Sequence, residues 1–381
     1  MRSEDVILSP KANYLLLTVL LVALPARPAR ALLNLDGTRN QVFVFGNVTF
    51  AYNSNIFSNA SSPGDYTATT EVGVDLKRRA GIIAVNITAK IDYQRFDRYT
   101  SESSVDPSFY LELNKTSGRT TGAFTVNFFR ESRSDSAVNL RTSSWNIPLG
   151  LSIKYPINDK FYVTSATGYL ERRYVDNAAL ANYTDYSESV DLFYVYTSKL
   201  DLVSGYRIRI SHTSIGPDTY DHWFNVGAIG VLFGKLNGSV RLGYQVRDVN
   251  GGGSFGDFNG VAALNWVVTR KFTLSGQFSR DYTTIATGSS VDTTTVGLRA
   301  NYVFTRKFDV DGGVSYGRNN FLQGTLQHRQ DEFYAWDVSA RYKFNEHLRL
   351  AASYNYLHNY STISLSDFER HGFSLDIASR F

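Results

Sequence analysis

The chain is written in a two-residue period. Val296, Leu298, Ala300, Tyr302 and Phe304 alternate with Gly297, Arg299 and Asn301. Trp336, Val338, Ala340, Tyr342 and Phe344 alternate with Asp337, Ser339, Arg341 and Lys343. Side chains two apart share one face of a strand, so each segment has an apolar face and a polar face. Trp145 to Tyr155 and Val240 to Val246 repeat the pattern. Segments of about ten residues with turns between them recur to the C-terminus, the sequence form of a sheet that crosses a membrane as a closed barrel. In three of these four runs the aromatics favour the ends, where rings meet headgroups and the apolar middle meets hydrocarbon. A soluble β-sandwich is the competing reading. Its strands alternate as well; against it stand the secretion signal read at the N-terminus, the terminal Phe381 and the scarcity of strands apolar on both faces.

Composition agrees. Aromatics make up 14% of 381 residues, with 25 Tyr and 25 Phe, enough to furnish two interfacial girdles. There is no Cys, which excludes disulfides, thiol catalysis and Cys-ligated metals. The one run that resembles a membrane helix, 14–25, is too short to span a bilayer. It reads as the apolar core of a secretory signal. Arg2 and Lys11 precede it and Ala29-Arg30-Ala31 follows as a cleavage site, giving residues 1–31 as signal and 32–381 as one barrel domain. Glu4 and Asp5 make the basic region untidy. Cleavage lowers the formal charge from +4 to about +2, because Arg2, Lys11, Arg27 and Arg30 leave with those two acids. A balance so near neutral gives no ground for nucleic acid as a partner.

Turns set the strand count. Asn158-Asp159-Lys160-Phe161, Thr269-Arg270-Lys271-Phe272, Thr305-Arg306-Lys307-Phe308 and Asn345-Glu346-His347-Leu348 share one form. Further short turns fall at 77–81, 117–119, 198–200 and 234–236. Longer loops fall at 53–65, 97–103, 132–141, 175–182, 213–219, 250–256, 283–290, 318–330 and 358–366. These turns and loops join eighteen strands in an all-β, antiparallel, up-and-down transmembrane barrel. Sixteen is the alternative count if the weakly patterned stretches at 113–125 and 169–186 are misjudged. Short turns then face the periplasm and the longer loops face outside.

Inward positions are polar nearly throughout. They include Lys90, Asp92, Gln94, Arg207, Arg209, Arg241, Arg247, Arg299, Asp309, Asp311, Asp337 and Arg341. A barrel this wide is not filled by side chains alone, so its interior is expected to hold water. The Arg207, Arg209, Arg241 and Arg247 group admits two readings. It is a basic strip that orients an anionic solute, or it pairs across strands with nearby carboxylates; pairing is preferred. The longest loops have about 13 residues, too few for any one to block the lumen. Narrowing, if present, falls to bulky inward groups such as Phe129, Tyr162 and Phe193.

No catalytic, cofactor or metal motif stands out. There is neither an H-E-x-x-H pair nor a G-x-S-x-G elbow. Ser211 and His212 are adjacent, so on a strand they point to opposite faces. His358 and His371 could meet across the last hairpin and are read as incidental.

Two resemblances add to this. The final strand, with Phe373, Leu375, Ile377 and Phe381, resembles the signal by which outer-membrane barrels are handed to their assembly machinery. Ala51-Tyr52-Asn53-Ser54-Asn55-Ile56-Phe57, leaving the first strand, resembles the Tyr-x-x-Asn-Ile segment of the putative β-barrel porin 2 family. Here Asn53 and Asn55 can take turn conformations and Ile56-Phe57 can cap the loop. The resemblance implies a bacterial outer-membrane channel, set in the lipid bilayer and linked to exopolysaccharide. Its solute is a polysaccharide or a small hydrophilic molecule. The alternative is a non-conducting barrel that scaffolds a surface or secretion complex. Inward tyrosines on adjacent strands would favour a carbohydrate path.

Overall fold

The structure, a computed structural model, describes residues 33–34, 40–79, 81–175, 177–323 and 328–381. The signal read at 1–31 lies outside the described residues. A two-residue strand, β1 (Leu33–Asn34), lies against the start of the first long strand. The long strands are β2 (Asn40–Asn53), β3 (Asp65–Arg78), β4 (Ile83–Phe96), β5 (Ser104–Lys115), β6 (Thr121–Asp135) and β7 (Leu140–Pro156). They continue as β8 (Phe161–Val175), β9 (Tyr183–Thr197), β10 (Leu200–Thr213), β11 (Thr219–Phe233), β12 (Leu236–Val249) and β13 (Gly253–Val267). The last six are β14 (Phe272–Thr284), β15 (Ser290–Val303), β16 (Phe308–Phe321), β17 (Gln330–Lys343), β18 (Leu348–Ser361) and β19 (Phe368–Arg380).

Each long strand pairs antiparallel with the next, and β19 pairs with β2 from Gly372↔Asn53 to Arg380↔Phe45. The sheet is therefore a closed barrel of eighteen strands, which removes the exposed edges that hydrocarbon would not tolerate. Phe381 completes the seam. Its N–H donates to the Val44 carbonyl at 2.8 Å, it accepts the Val44 N–H at 2.9 Å, and its ring stacks on His347.

The repeated short turns have a common cause. Thr269 Oγ1 accepts the N–H groups of Lys271 and Phe272, and Thr305 Oγ1 those of Lys307 and Phe308. Asn158 and Asn345 do the same with their side-chain carbonyls. A short polar side chain that caps two amides holds a turn too tight for backbone bonds alone.

The four runs read as apolar faces do point outward. Val296, Leu298, Tyr302, Trp336, Val338, Leu242 and Tyr244 are all exposed on the outer surface. Tyr302 with Phe304 and Tyr342 with Phe344 form edge-on pairs at one end of the strands, while Tyr316, Tyr334 and Tyr360 cluster near the other, tilted and edge-on. These are the two girdles.

Two ladders stop short, and this shapes the interior. β5 and β6 pair only from Ser108↔Phe129 to Lys115↔Gly122. β13 and β14 pair only from Gly260↔Arg280 to Val267↔Thr273. Beyond those points, toward the extracellular end, the β6–β7 and β14–β15 hairpins part from the neighbouring wall and lean over the lumen. Strands β6 and β7 run to Asp135 and from Leu140, so most of the stretch read from sequence as a loop at 132–141 is a continuing hairpin.

Candidate functional site: the lumen and its mouth

The inner face has two unlike walls. On β9 to β14 the inward charges are cross-braced and mostly covered. Arg247 Nε and Nη2 donate to both Asp221 carboxylate oxygens at 2.6 and 2.7 Å, and Arg209 Nε donates to Asp221 at 2.7 Å. Arg207 donates to Asp281 at 2.8 Å and lies over the Trp223 ring. Arg241 donates to Asp191 at 2.9 Å. The Arg247 side chain has no solvent exposure and that of Asp221 has 4%. Near the periplasmic end Tyr162 stacks on Phe193, ring centres 4.5 Å apart, and donates to Asp201.

The parted seam explains why arginines gather here. The last residues of β14 no longer ladder with β13, so their carbonyls need other donors. Arg209 on β10, four strands away around the wall, reaches the Tyr282 carbonyl, and Arg247 on β12 reaches that of Thr283. Arg280 clasps Asp257 of β13 and Asp292 of β15 across the split.

The wall from β15 to β17 is open. Arg299 bonds Asp311 and, at 2.7 Å, Asp337; Arg341 bonds Asp309 at 2.6 Å and Asp311 at 2.8 Å. The charges form one alternating chain, Asp309–Arg341–Asp311–Arg299–Asp337. Arg299 is 48% exposed, Arg341 45% and Asp337 37%. On the far side Lys90 bonds Glu71 and Asp92, and Arg380 bonds Asp75.

All seven charges singled out from sequence, Arg207, Arg209, Arg241, Arg247, Arg299, Asp337 and Arg341, occupy inward positions, but they divide between the two walls. The four arginines proposed as a basic strip are each paired with a carboxylate. Their partners Asp191, Asp221 and Asp281 were not singled out. Of the inward aromatics, Phe193 belongs to the braced wall and Tyr162 of β8 stacks on it, while Phe129 faces inward on β6, opposite Asn146 of β7. Inward tyrosines form no continuous ladder: Tyr174 of β8 and Tyr183 of β9 stand on adjacent strands, with Arg172 over the Tyr183 ring, but Tyr162 lies at the other end of β8 and Tyr110 is three strands away on β5.

Ser211 is buried inside while His212 points outward to Asp218 at 2.9 Å. His358 and His371 lie on the outer rim beside Glu369 and do not form a pair. Among the described residues no group of three metal-ligating side chains occurs.

The mouth is where sequence reasoning erred in emphasis. No single loop blocks it, but several join across it. The tip of the β6–β7 hairpin docks on loops that lie across the opening. Arg329, beside β17, donates to the carbonyls of Ala137 at 2.8 Å and Ser136 at 3.0 Å, although β7 and β17 are eight strands apart around the wall. Asp331 holds Arg329 in place at 2.7 Å, both side chains being 3% exposed. Asn139 Nδ2 donates to the Ser58 carbonyl at 2.7 Å, and Ser366 Oγ donates to Asn139 Oδ1 at 2.6 Å. Ser58 and Asn139 both take positive φ, 56° and 57°, which turns their carbonyls and side chains into this contact. A second bridge joins the β8–β9 loop to the β14–β15 loop through Ala181 N–H and the Ala286 carbonyl at 2.7 Å.

The Tyr-x-x-Asn-Ile segment anchors this assembly. Asn53 Oδ1 accepts the Asn55 N–H at 2.9 Å, as its turn chemistry suggested. Asn55, fully buried, donates to the Asn59 carbonyl, to Ser62 and to the Glu369 carbonyl of β19. Ile56 is buried beside it.

Comparison with known proteins agrees with this architecture. The family model of putative beta-barrel porin 2 matches residues 223–381. The Ala51–Phe57 segment lies outside that match. The outer membrane protein OpdK of Pseudomonas aeruginosa, solved with vanillate, is similar over 89% of this chain and 99% of its own, at 11% identity and a TM-score of 0.50. OccAB2 of Acinetobacter baumannii is similar over 90% of this chain and 98% of its own, at 11% identity and 0.53. OccK2 (OpdF) of Pseudomonas aeruginosa covers 90% and 97%, at 8% identity and 0.51. At such identities the likeness is one of fold. No functionally curated protein matches the sequence. The family match and the closed barrel place the chain in the bacterial outer membrane.

Proposed function

We propose that the protein is a passive outer-membrane channel for small hydrophilic solutes, with its path along the open wall of β15 to β17. The observation that carries this is the chain of ion pairs from Asp309 to Asp337, in which Arg299, Arg341 and Asp337 remain exposed. Charged groups held inside a membrane barrel are stable where water reaches them, and a barrel of eighteen strands has room for that water. The similarity to outer-membrane porins points the same way and favours a channel over an enzyme. Small solutes are favoured over a polysaccharide because the inward tyrosines make only a local group at Tyr174 and Tyr183 and no continuous ladder along the path.

The bridged mouth supports a second reading, a sealed barrel that scaffolds a surface complex. Single-channel recording of the refolded mature protein in a planar bilayer separates the two. The channel reading expects steady openings that depend on ionic strength. Silence from protein shown to be folded by circular dichroism rejects it in favour of the scaffold.

A further inference from the structure

The open wall and the still-laddered half of β13 and β14 beside it enclose a recess that a simple water-filled path does not require. Its volume is 370 Å³, near the lower end of the ~300–1,000 Å³ typical of small-molecule sites. Its floor is the backbone at Gly297 and Gly313, two inward positions without a side chain. A Cβ on Gly297 would come within 3.0 Å of Gln277 Nε2, and one on Gly313 within 3.0 Å of both Arg299 Nη2 and Asp337 Oδ1. The glycines thus keep the recess open and let the Arg299–Asp337 pair lie flat across the wall.

The polar groups around the floor are of two kinds. Arg299 and Asp337 are already satisfied by each other, and Arg299 also by Asp311. Asn265, Gln277 and Ser315 line the recess, and their side chains make no hydrogen bond among the described residues. A ligand with its own charge would have to break an existing ion pair to be paired. A ligand rich in hydroxyls can donate to and accept from two free amides and a free hydroxyl without disturbing the charges.

We propose that this recess is a binding subsite for a small neutral polyhydroxylated solute. The volume holds about a dozen waters at ~30 Å³ each, and one hexose has about that many non-hydrogen atoms. This deepens the channel reading and rests on it for its place on a transport path. The binding itself is measurable without conduction.

The test is isothermal titration calorimetry on the full mature barrel in detergent micelles. The probes are glucose, glucuronate (the same ring with a carboxylate) and glucosamine (the same ring with an ammonium). Glucose is expected to bind more tightly than either charged analogue. The double variant N265A/Q277A should weaken glucose about tenfold, the worth of two neutral hydrogen bonds. Ser315→Trp should fill the recess and abolish binding. Using both variants guards against one failing to fold, which circular dichroism reports. Absence of glucose binding, equal or tighter binding of glucuronate, or parental affinity in a folded variant overturns the subsite. A barrel that binds glucose but is silent in bilayers keeps the subsite and rejects the channel. One that conducts but does not bind glucose does the reverse.

Discussion

The two walls of the lumen use the same residues to opposite ends. On β9 to β14, Arg247 and Asp221 are buried and brace a hairpin that has left its ladder. On β15 to β17, Arg299 and Asp337 pair with the same chemistry but remain 48% and 37% exposed. The difference lies in what stands over them. Where the top of β14 leans inward, arginines cap its carbonyls and lose water. Where β15 to β17 stay in register over Gly297 and Gly313, Arg299, Arg341 and Asp337 stay in contact with water. An inward Arg therefore does not by itself mark a permeation path; its exposure decides.

The largest effect that would sharpen this contrast is expected at Asp221. Asp221→Ala leaves Arg209 and Arg247 buried together without their shared carboxylate, which should cost ~3–5 kcal/mol. Urea unfolding of the barrel in vesicles reads the loss. A cost below ~1 kcal/mol would mean that water already reaches this wall.

Next is the bridge across the mouth. Arg329→Ala removes the donors to Ser136 and Ala137 and strands Asp331, freeing the hairpin tip. Loss of ~3 kcal/mol of local stability should speed protease cleavage at 135–140 about a hundredfold and raise unit conductance. Unchanged cleavage and conductance would mean that the tip is held by other contacts.

A smaller effect is expected at Asn55. Asn55→Ala removes the donor to the Glu369 carbonyl and should cost ~1–3 kcal/mol, seen as earlier proteolysis of the 54–64 loop. The smallest is on the open wall. Asp337→Asn should change stability by no more than ~1 kcal/mol, because solvent screens that pair. The same change should shift the reversal potential in a salt gradient toward anion preference, and an unchanged potential would place the ion path elsewhere.

What the sequence made legible follows from how local the signal is. The outer face was readable because alternation puts every second side chain of Trp336 to Phe344 in one environment. The short turns were readable because Thr305 and Asn345 cap amides within three residues of themselves. The inward direction of Arg207, Arg209, Arg241 and Arg247 was readable from the same alternation. Their partners were less so, because Arg207 meets Asp281 only through the split of β14 from β13, and residues 281–284 look like ordinary strand. The mouth was the least legible. Arg329 and Ala137 are separated by 192 positions, and nothing local in either segment marks the other. Judging loops one at a time missed that several short ones interlock.

The most direct test of an open path beside a braced wall uses the absence of cysteine from the native chain. Single thiols introduced by Ser315→Cys on the open wall and Asn259→Cys on the braced wall are recorded in planar bilayers while a negatively charged, water-soluble thiol reagent is added. The account predicts steady conductance from both proteins, a stepwise fall at Ser315→Cys and no change at Asn259→Cys. Silence from both folded proteins, or an equal fall at the two positions, would contradict it.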